Sequence, residues 1–177
     1  MAEKIEAFAA VGMSGLNLAC IREDEPLGTG GALIHCLPAC DEWILTVNGD
    51  GLVMGGLNKL LSCCLQDVDG AMLGVRVSDA SRFGSLSTDS SGFLSGFREK
   101  QAGQGLINGG VYLFRKSILK RVMWRVPCSL EYDLFPEMIA NGARIRVIET
   151  EAAFIDIGTP ETVKQADAFV RAHVLPY

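Results

Sequence analysis

The chain has 177 residues, 49% of them hydrophobic, with a formal net charge of -5 and a mean hydropathy of +0.25. That length and apolar content are enough for one buried core and exclude a disordered chain. No basic run offers a surface to nucleic acid, and no apolar stretch approaches the roughly 20 residues of a membrane span.

The first fifteen residues, MAEKIEAFAAVGMSG, lack the separate basic, apolar and cleavage regions of a signal peptide. The cysteines (Cys20, Cys36, Cys40, Cys63, Cys64 and Cys128) show no disulfide framework. His35, Cys36 and Cys40 lie close together, but no second ligand pair follows at zinc spacing. Both features predict a cytoplasmic protein with reduced, mostly buried thiols.

Leu16 to Ile21 reads as a short strand, and Gly30 to Leu37 as a helix stopped by Pro38. EWILTVNGD (42–50) is a nearly continuous apolar strand, as expected of a parallel strand buried on both faces. Leu52 to Leu65 is helical in pattern, and AMLGVRVSD (71–79) is again a strand. Strand alternating with helix predicts an α/β protein with a doubly wound parallel sheet. Two short strand-like pieces flank the turn cluster Thr88 to Gly92, a predicted hairpin. GLINGGVYLF (105–114) is a strand whose glycines mark a bulge, a kink or a close ligand approach. Residues 129–142 form a helix with Ser129 as N-cap, Glu131 and Asp133 in the first turn and Gly142 at the C-terminus. ARIRVIE alternates as a half-buried strand. FIDIG then leads through Thr159, an N-cap with Pro160 behind it, into a closing helix.

Two aspartates stand out. Asp50 (VNGDG) and Asp156 (FIDIG) each end an apolar strand close to a glycine. Ligands of open α/β sheets bind beyond the carboxyl ends of the strands, where two carboxylates could share one Mg²⁺. Alternatively, each caps its own turn. In FREK (97–100), Lys100 suits a phosphate, while a solvated charged turn explains the same letters. Gly28, Gly30 and Gly31 would let backbone N–H groups approach a base or phosphate, although the loop is neither a Walker A nor a G-x-G-x-x-G motif. No nucleophile–base spacing is present.

In order, EPLGTGGAL, VNGD, SRFGSL, FREK, LINGGVYLF, SLEYDLFP and FIDIGTPE resemble the sugar-phosphate nucleotidylyltransferases over about residues 16 to 170, and most closely the mannose 1-phosphate and manno-heptose 1-phosphate guanylyltransferase branch. The resemblance implies a single-domain Rossmann-like nucleotide-diphospho-sugar transferase fold with a mostly parallel mixed sheet. It implies transfer of a nucleoside monophosphate from an NTP such as GTP to a sugar 1-phosphate, assisted by Mg²⁺. It places the metal on Asp50 and Asp156 and the nucleotide on Gly28, Thr29, Gly30, Gly31 and Asn48. Sugar hydroxyls fall to Glu99, Asn108 and Gly109, and the sugar phosphate to Lys100. Family members carry a strand, a G-G-x-G-T-R-L loop and a P-K pair before the segment matching EPLGTGGAL, and residues 1–20 contain none of these. The expectation is therefore an N-terminally truncated version with impaired transfer that self-associates as a homo-oligomer. The alternative is a non-catalytic sugar-phosphate or nucleotide binder, or a self-associating remnant of the fold.

Overall fold

The computed structural model describes residues 2–12, 15–98 and 102–173. Helices are α1 Ala2–Val11, α2 Gly28–Cys36, α3 Leu57–Leu61, α4 Lys116–Arg121, α5 Phe135–Ala140 and α6 Pro160–His173. Strands are β1 Trp43–Val47, β2 Gly51–Val53, β3 Gly70–Val77, β4 Ser85–Thr88, β5 Leu94–Arg98, β6 Gly105–Arg115, β7 Ile145–Thr150 and β8 Phe154–Asp156. None of these helices is long and apolar enough to cross a membrane.

Six strands make one mixed sheet in the order β5-β4-β6-β3-β7, with β1 also paired to β6. β3 and β7 are parallel, whereas β6 runs antiparallel to β1, β3 and β4. β6 thus lies between β1 and β3, which share a direction but do not hydrogen-bond to each other. The α/β alternation is as read from the sequence. The pairing is more antiparallel than expected, because a period-two pattern does not encode strand direction.

Alternation along the central strands divides the core. Met72, Tyr112, Phe114, Ile145 and Val147 face Leu33 of α2, Ile118 and Leu119 of α4 and Phe135 and Met138 of α5. Ala71, Leu73, Val111 and Leu113 face the other way, onto Leu60 of α3 and Cys63. Helices therefore cover both faces, as a doubly wound sheet requires. Phe135 sits 5.6 Å from the Tyr112 ring and 5.7 Å from Phe114, with Phe97 5.6 Å away on its far side.

Several local expectations hold. Ser129 caps its helix by accepting from the Tyr132 amide at 3.2 Å. The first turn, Leu130–Leu134, is wound with wide π-type bonds before α5 begins. Gly142 at φ +78° closes α5, its amide bonding to Ile139 O and that of Ala143 to Met138 O. Thr159 caps α6 through Thr162 N. The β4–β5 hairpin turns at Gly92.

Three expectations are corrected and one helix is added. Residues 16–21 form no strand, because none of the described strands pairs with them and an extended run acquires a ladder only with a neighbour. α1 was not read from the sequence, and it buries no residue. β1 is not buried on both faces: Leu45 and Val47 are 44% and 55% exposed. The predicted Leu52–Leu65 helix is instead β2, the short α3 and a 3₁₀ turn over Ser62–Leu65. All six cysteines are unpaired; Cys63 and Cys128 are buried and Cys20 is exposed.

Candidate functional site

After β1 the chain turns through Asn48, Gly49 and Asp50 into β2, which pairs antiparallel with β8 so that Gly51 lies opposite Asp156. The amide of Ile157 donates to Asp50 O at 2.7 Å, tying the two turns together. Phe83 packs edge-on against Phe154 at 5.8 Å and seats β8 from beneath. This small sheet brings the two aspartates together. A side-chain carbon at Gly158 would stand 3.0 Å from Asp156 Oδ1 and 3.9 Å from Asp50 Oδ2, so these oxygens lie less than about 7 Å apart. Asp156 also caps its turn by accepting from Gly158 N at 2.8 Å. The Asp50 carboxylate accepts no hydrogen bond among the described residues. Oxygen donors of this kind suit a hard divalent cation. No group of three or more His, Cys, Asp or Glu gathers among the described residues, so a cation here would complete its shell with ligand or water oxygens.

The aspartates open onto a cleft of about 230 Å³. Its walls include Asn48 and Gly51, Arg82 and Phe83, Asn108 to Gly110, and Glu131 and Tyr132. Arg82 is the one cation lining it among the described residues. A second hollow of about 540 Å³ adjoins it, sharing Gly84, Glu131 and Tyr132 and adding Phe97, Arg98, Pro136 and Ile139.

The glycines of β6 make a bulge, as the sequence suggested. Between the pairs Met72–Tyr112 and Gly74–Asn108 the register shifts, so Leu73 faces three residues, Gly109 to Val111. The bulge lets Asn48 N reach Gly110 O at 2.8 Å, and a side chain at Gly110 would stand 3.0 Å from the Asn48 side chain. It also turns Asn108 toward the cleft. Asn108 Nδ2 donates to Tyr112 Oη at 2.7 Å and to Glu131 Oε1, while its Oδ1 accepts from Gly110 N at 3.0 Å. Burial pushes the Tyr112 hydroxyl pKa far above the usual phenol range. Bonds from Asn108 and Asn48 oppose that shift, and the charges of Glu131 and Asp50 add to it. The phenol is therefore neutral at all ordinary pH values.

The glycine-rich turn has a different setting. A side chain at Gly28, where φ is +78°, would stand 2.5 Å from Cys128 O. The amides of Gly30 and Gly31 donate to that same carbonyl at 2.9 and 3.2 Å, and Thr29 Oγ1 accepts from Leu130 N at 2.9 Å. The close approach these glycines permit is thus between α2 and the segment carrying Glu131. Gly28, Thr29, Gly30 and Gly31 do not line the aspartate cleft, whereas Asn48, Asn108 and Gly109 do. Glu99 and Lys100 lie outside the described residues; Arg98 just before them borders the second hollow. Sequence reasoning missed Glu131, Tyr112 and Arg82 as site residues. Arg82 and Tyr112 stand within the motifs SRFGSL and LINGGVYLF without a role of their own, and Glu131 has a sufficient local reading as a first-turn acid.

Comparisons with known proteins bear on the family and the fold. The D-glycero-alpha-D-manno-heptose 1-phosphate guanylyltransferase of Aneurinibacillus thermoaerophilus is 28% identical over 175 residues, covering 97% of this chain and 75% of that protein. The mannose-1-phosphate guanylyltransferase of Mycobacterium tuberculosis is 29% identical over 167 residues, covering 92% of this chain. The chain spans only 46% of that relative's length. The crystal structure of HddC from Yersinia pseudotuberculosis complexed with GMP-PN superposes with a TM-score of 0.81 at 31% identity, covering 95% of this chain and 74% of that one. The family model for nucleotidyl transferases matches residues 1–173, and the chain belongs to that family.

Proposed function

We propose that the chain binds an NTP and a sugar 1-phosphate in the cleft between Asp50, Asp156 and Glu131 and serves transfer of the nucleoside monophosphate to the sugar phosphate. A phosphate oxygen of the sugar 1-phosphate bonds to the α-phosphorus, the bond to the β-phosphate oxygen breaks, and pyrophosphate leaves with that electron pair. The observation that carries the reading is the β2–β8 pairing, which sets two carboxylates at the mouth of a cleft where, among the described residues, Arg82 alone faces Asp50, Asp156 and Glu131, so that an anionic ligand needs a further cation. Mg²⁺ held by Asp50 and Asp156 would supply charge neutralisation at the phosphates. The chain's own contribution is positioning. Asn48 borders the nucleotide side and Asn108 and Gly109 the sugar side, and Glu99 and Lys100 would hold the sugar and its phosphate. The guanylyltransferase relatives support GTP and a manno-configured sugar. Six unpaired thiols support a reducing, cytoplasmic setting, and the exposed Leu45 and Val47 on β1 support a homo-oligomer.

The test is a thermal-shift panel of NTPs and sugar 1-phosphates with Mg²⁺, followed by pyrophosphate release. A ligand at about 100 times its Kd stabilises by roughly 2.7 kcal/mol. Turnover establishes the transferase. Binding without turnover establishes a non-catalytic binder of the same ligands, and no shift with any member refutes the reading.

A further inference from the structure

We infer that Asn108 acts through Glu131: Asn108 is a positioning residue, and Glu131 is a group that accepts hydrogen bonds from the hydroxyls of the sugar 1-phosphate. The inference rests on the function proposed above and assigns its sugar side. Asparagine carries two N–H bonds and one carbonyl oxygen. Both N–H bonds of Asn108 are engaged, one on Tyr112 Oη and one on Glu131 Oε1, and its oxygen already takes the Gly110 amide. It has no donor left for a ligand.

The framework behind it is fixed. Tyr112 is 1% exposed, and its ring packs against those of Phe114 and Phe135. The hydroxyl that anchors Asn108 therefore cannot move without the core. Asn108 in turn orients one oxygen of Glu131. The other oxygen makes no bond among the described residues. Glu131 lies on the wall common to the 230 Å³ cleft and the 540 Å³ hollow. An ionised carboxylate there accepts hydrogen bonds and repels phosphate. Its complement is a neutral group rich in donors, a polyhydroxylated ring whose phosphate lies toward the aspartate pair. Glu131 also occupies the shared wall where a sugar would pass from one hollow to the other, so a change there alters which hydroxyl pattern is accepted.

The test uses the full chain and isothermal titration with mannose 1-phosphate, inorganic phosphate and GTP with Mg²⁺. The variants are Glu131→Ala, Glu131→Gln, Asn108→Ala and the Glu131→Ala/Asn108→Ala pair. Glu131→Ala is expected to weaken mannose 1-phosphate about tenfold or more, the loss of a charged hydrogen bond, with inorganic phosphate and GTP unchanged. Glu131→Gln keeps the bond from Asn108, and with it the fold, and is expected to lose about threefold on the same scale. Asn108→Ala is expected to weaken mannose 1-phosphate in the wild-type background and to add almost nothing to Glu131→Ala, since a residue acting through another is not additive with it. Additive losses would mean that Asn108 touches the sugar itself and would overturn its positioning role. Unchanged mannose 1-phosphate affinity in both Glu131 variants overturns the assignment of Glu131. Loss of GTP–Mg²⁺ affinity in those variants also overturns it, by making Glu131 a metal-side group. A wild-type chain that binds no sugar 1-phosphate overturns the proposed function together with this inference.

Discussion

Gly28 and Gly142 share a φ of +78°, yet their surroundings differ, and that difference sets up a controlled comparison. A side-chain carbon at Gly142 meets nothing within 4 Å. At Gly28 it would stand 2.5 Å from Cys128 O and 2.9 Å from Cys128 N. Forcing an L-residue into the left-handed region costs about 1–2 kcal/mol at either position. The Gly28 contact is with backbone, which cannot rotate aside, and overpacking of this kind adds about 1–3 kcal/mol. Gly142→Ala is therefore expected to destabilise by about 1–2 kcal/mol and Gly28→Ala by roughly 2–5 kcal/mol. Urea unfolding followed by circular dichroism measures both. A functional readout separates them further. Relief of the clash moves Cys128 and Ser129, and with them the turn bearing Glu131, so Gly28→Ala should also weaken sugar 1-phosphate binding. Gly142 lines neither hollow and should leave it intact. Equal destabilisation by the two substitutions, within about 0.5 kcal/mol, would refute the claim that Gly28 is required by its contact with Cys128.

Three more outcomes are expected. Asp50→Asn and Asp156→Asn should each abolish the Mg²⁺-dependent part of NTP stabilisation in a thermal melt, while the melt without ligand stays close to wild type; an undiminished Mg²⁺ effect in both would show that the ion binds elsewhere. Burial raises the folded-state pKa of the Cys63 thiol above 9.0 and of the Tyr112 phenol above 10.0, so the folded state holds these protons more tightly than the unfolded one. Their contribution is whole below those values and is lost as pH rises past them, so urea midpoints should fall above pH 9, and less steeply in Tyr112→Phe. Leu45→Lys on the exposed side of β1 should change stability by no more than about 0.5 kcal/mol while lowering the mass seen by light scattering at tens of micromolar. An unchanged mass would exclude that face from self-association.

The sequence was most legible where the signal is local. Ser129, Thr159, Gly142 and the Thr88–Gly92 turn each act on backbone within a few residues, and the structure places them as their chemistry predicts. β3, β6 and β7 were legible because long apolar or alternating runs have few other uses. Failures came where the partner is distant. Residues 16–21 have strand-like letters, yet a strand exists only when another chain segment pairs with it. β2 is three residues long and owes its existence to β8, about a hundred residues later, so its letters read as the start of a helix. Asp50 and Asp156 were visible from their positions near glycine at strand ends. Glu131 was not, because an acid in a first helical turn already has a sufficient local explanation. Its link to Asn108 spans 23 residues and depends on the β6 bulge.

β6 carries both the bulged wall of the cleft and the rings at the centre of the core. Outside the bulge it lies in the interior of the sheet, paired with β3 along one edge and with β1 and, at Ile107, β4 along the other. Amides so paired exchange with solvent only when the whole domain opens. The β6 strand that anchors the sugar-side wall therefore melts only with the core. Under rising denaturant, discrimination among ligands should persist unaltered in every molecule still folded and then vanish in one step. The N-terminal helix α1, which buries nothing, can fray long before that without any effect on what the cleft accepts.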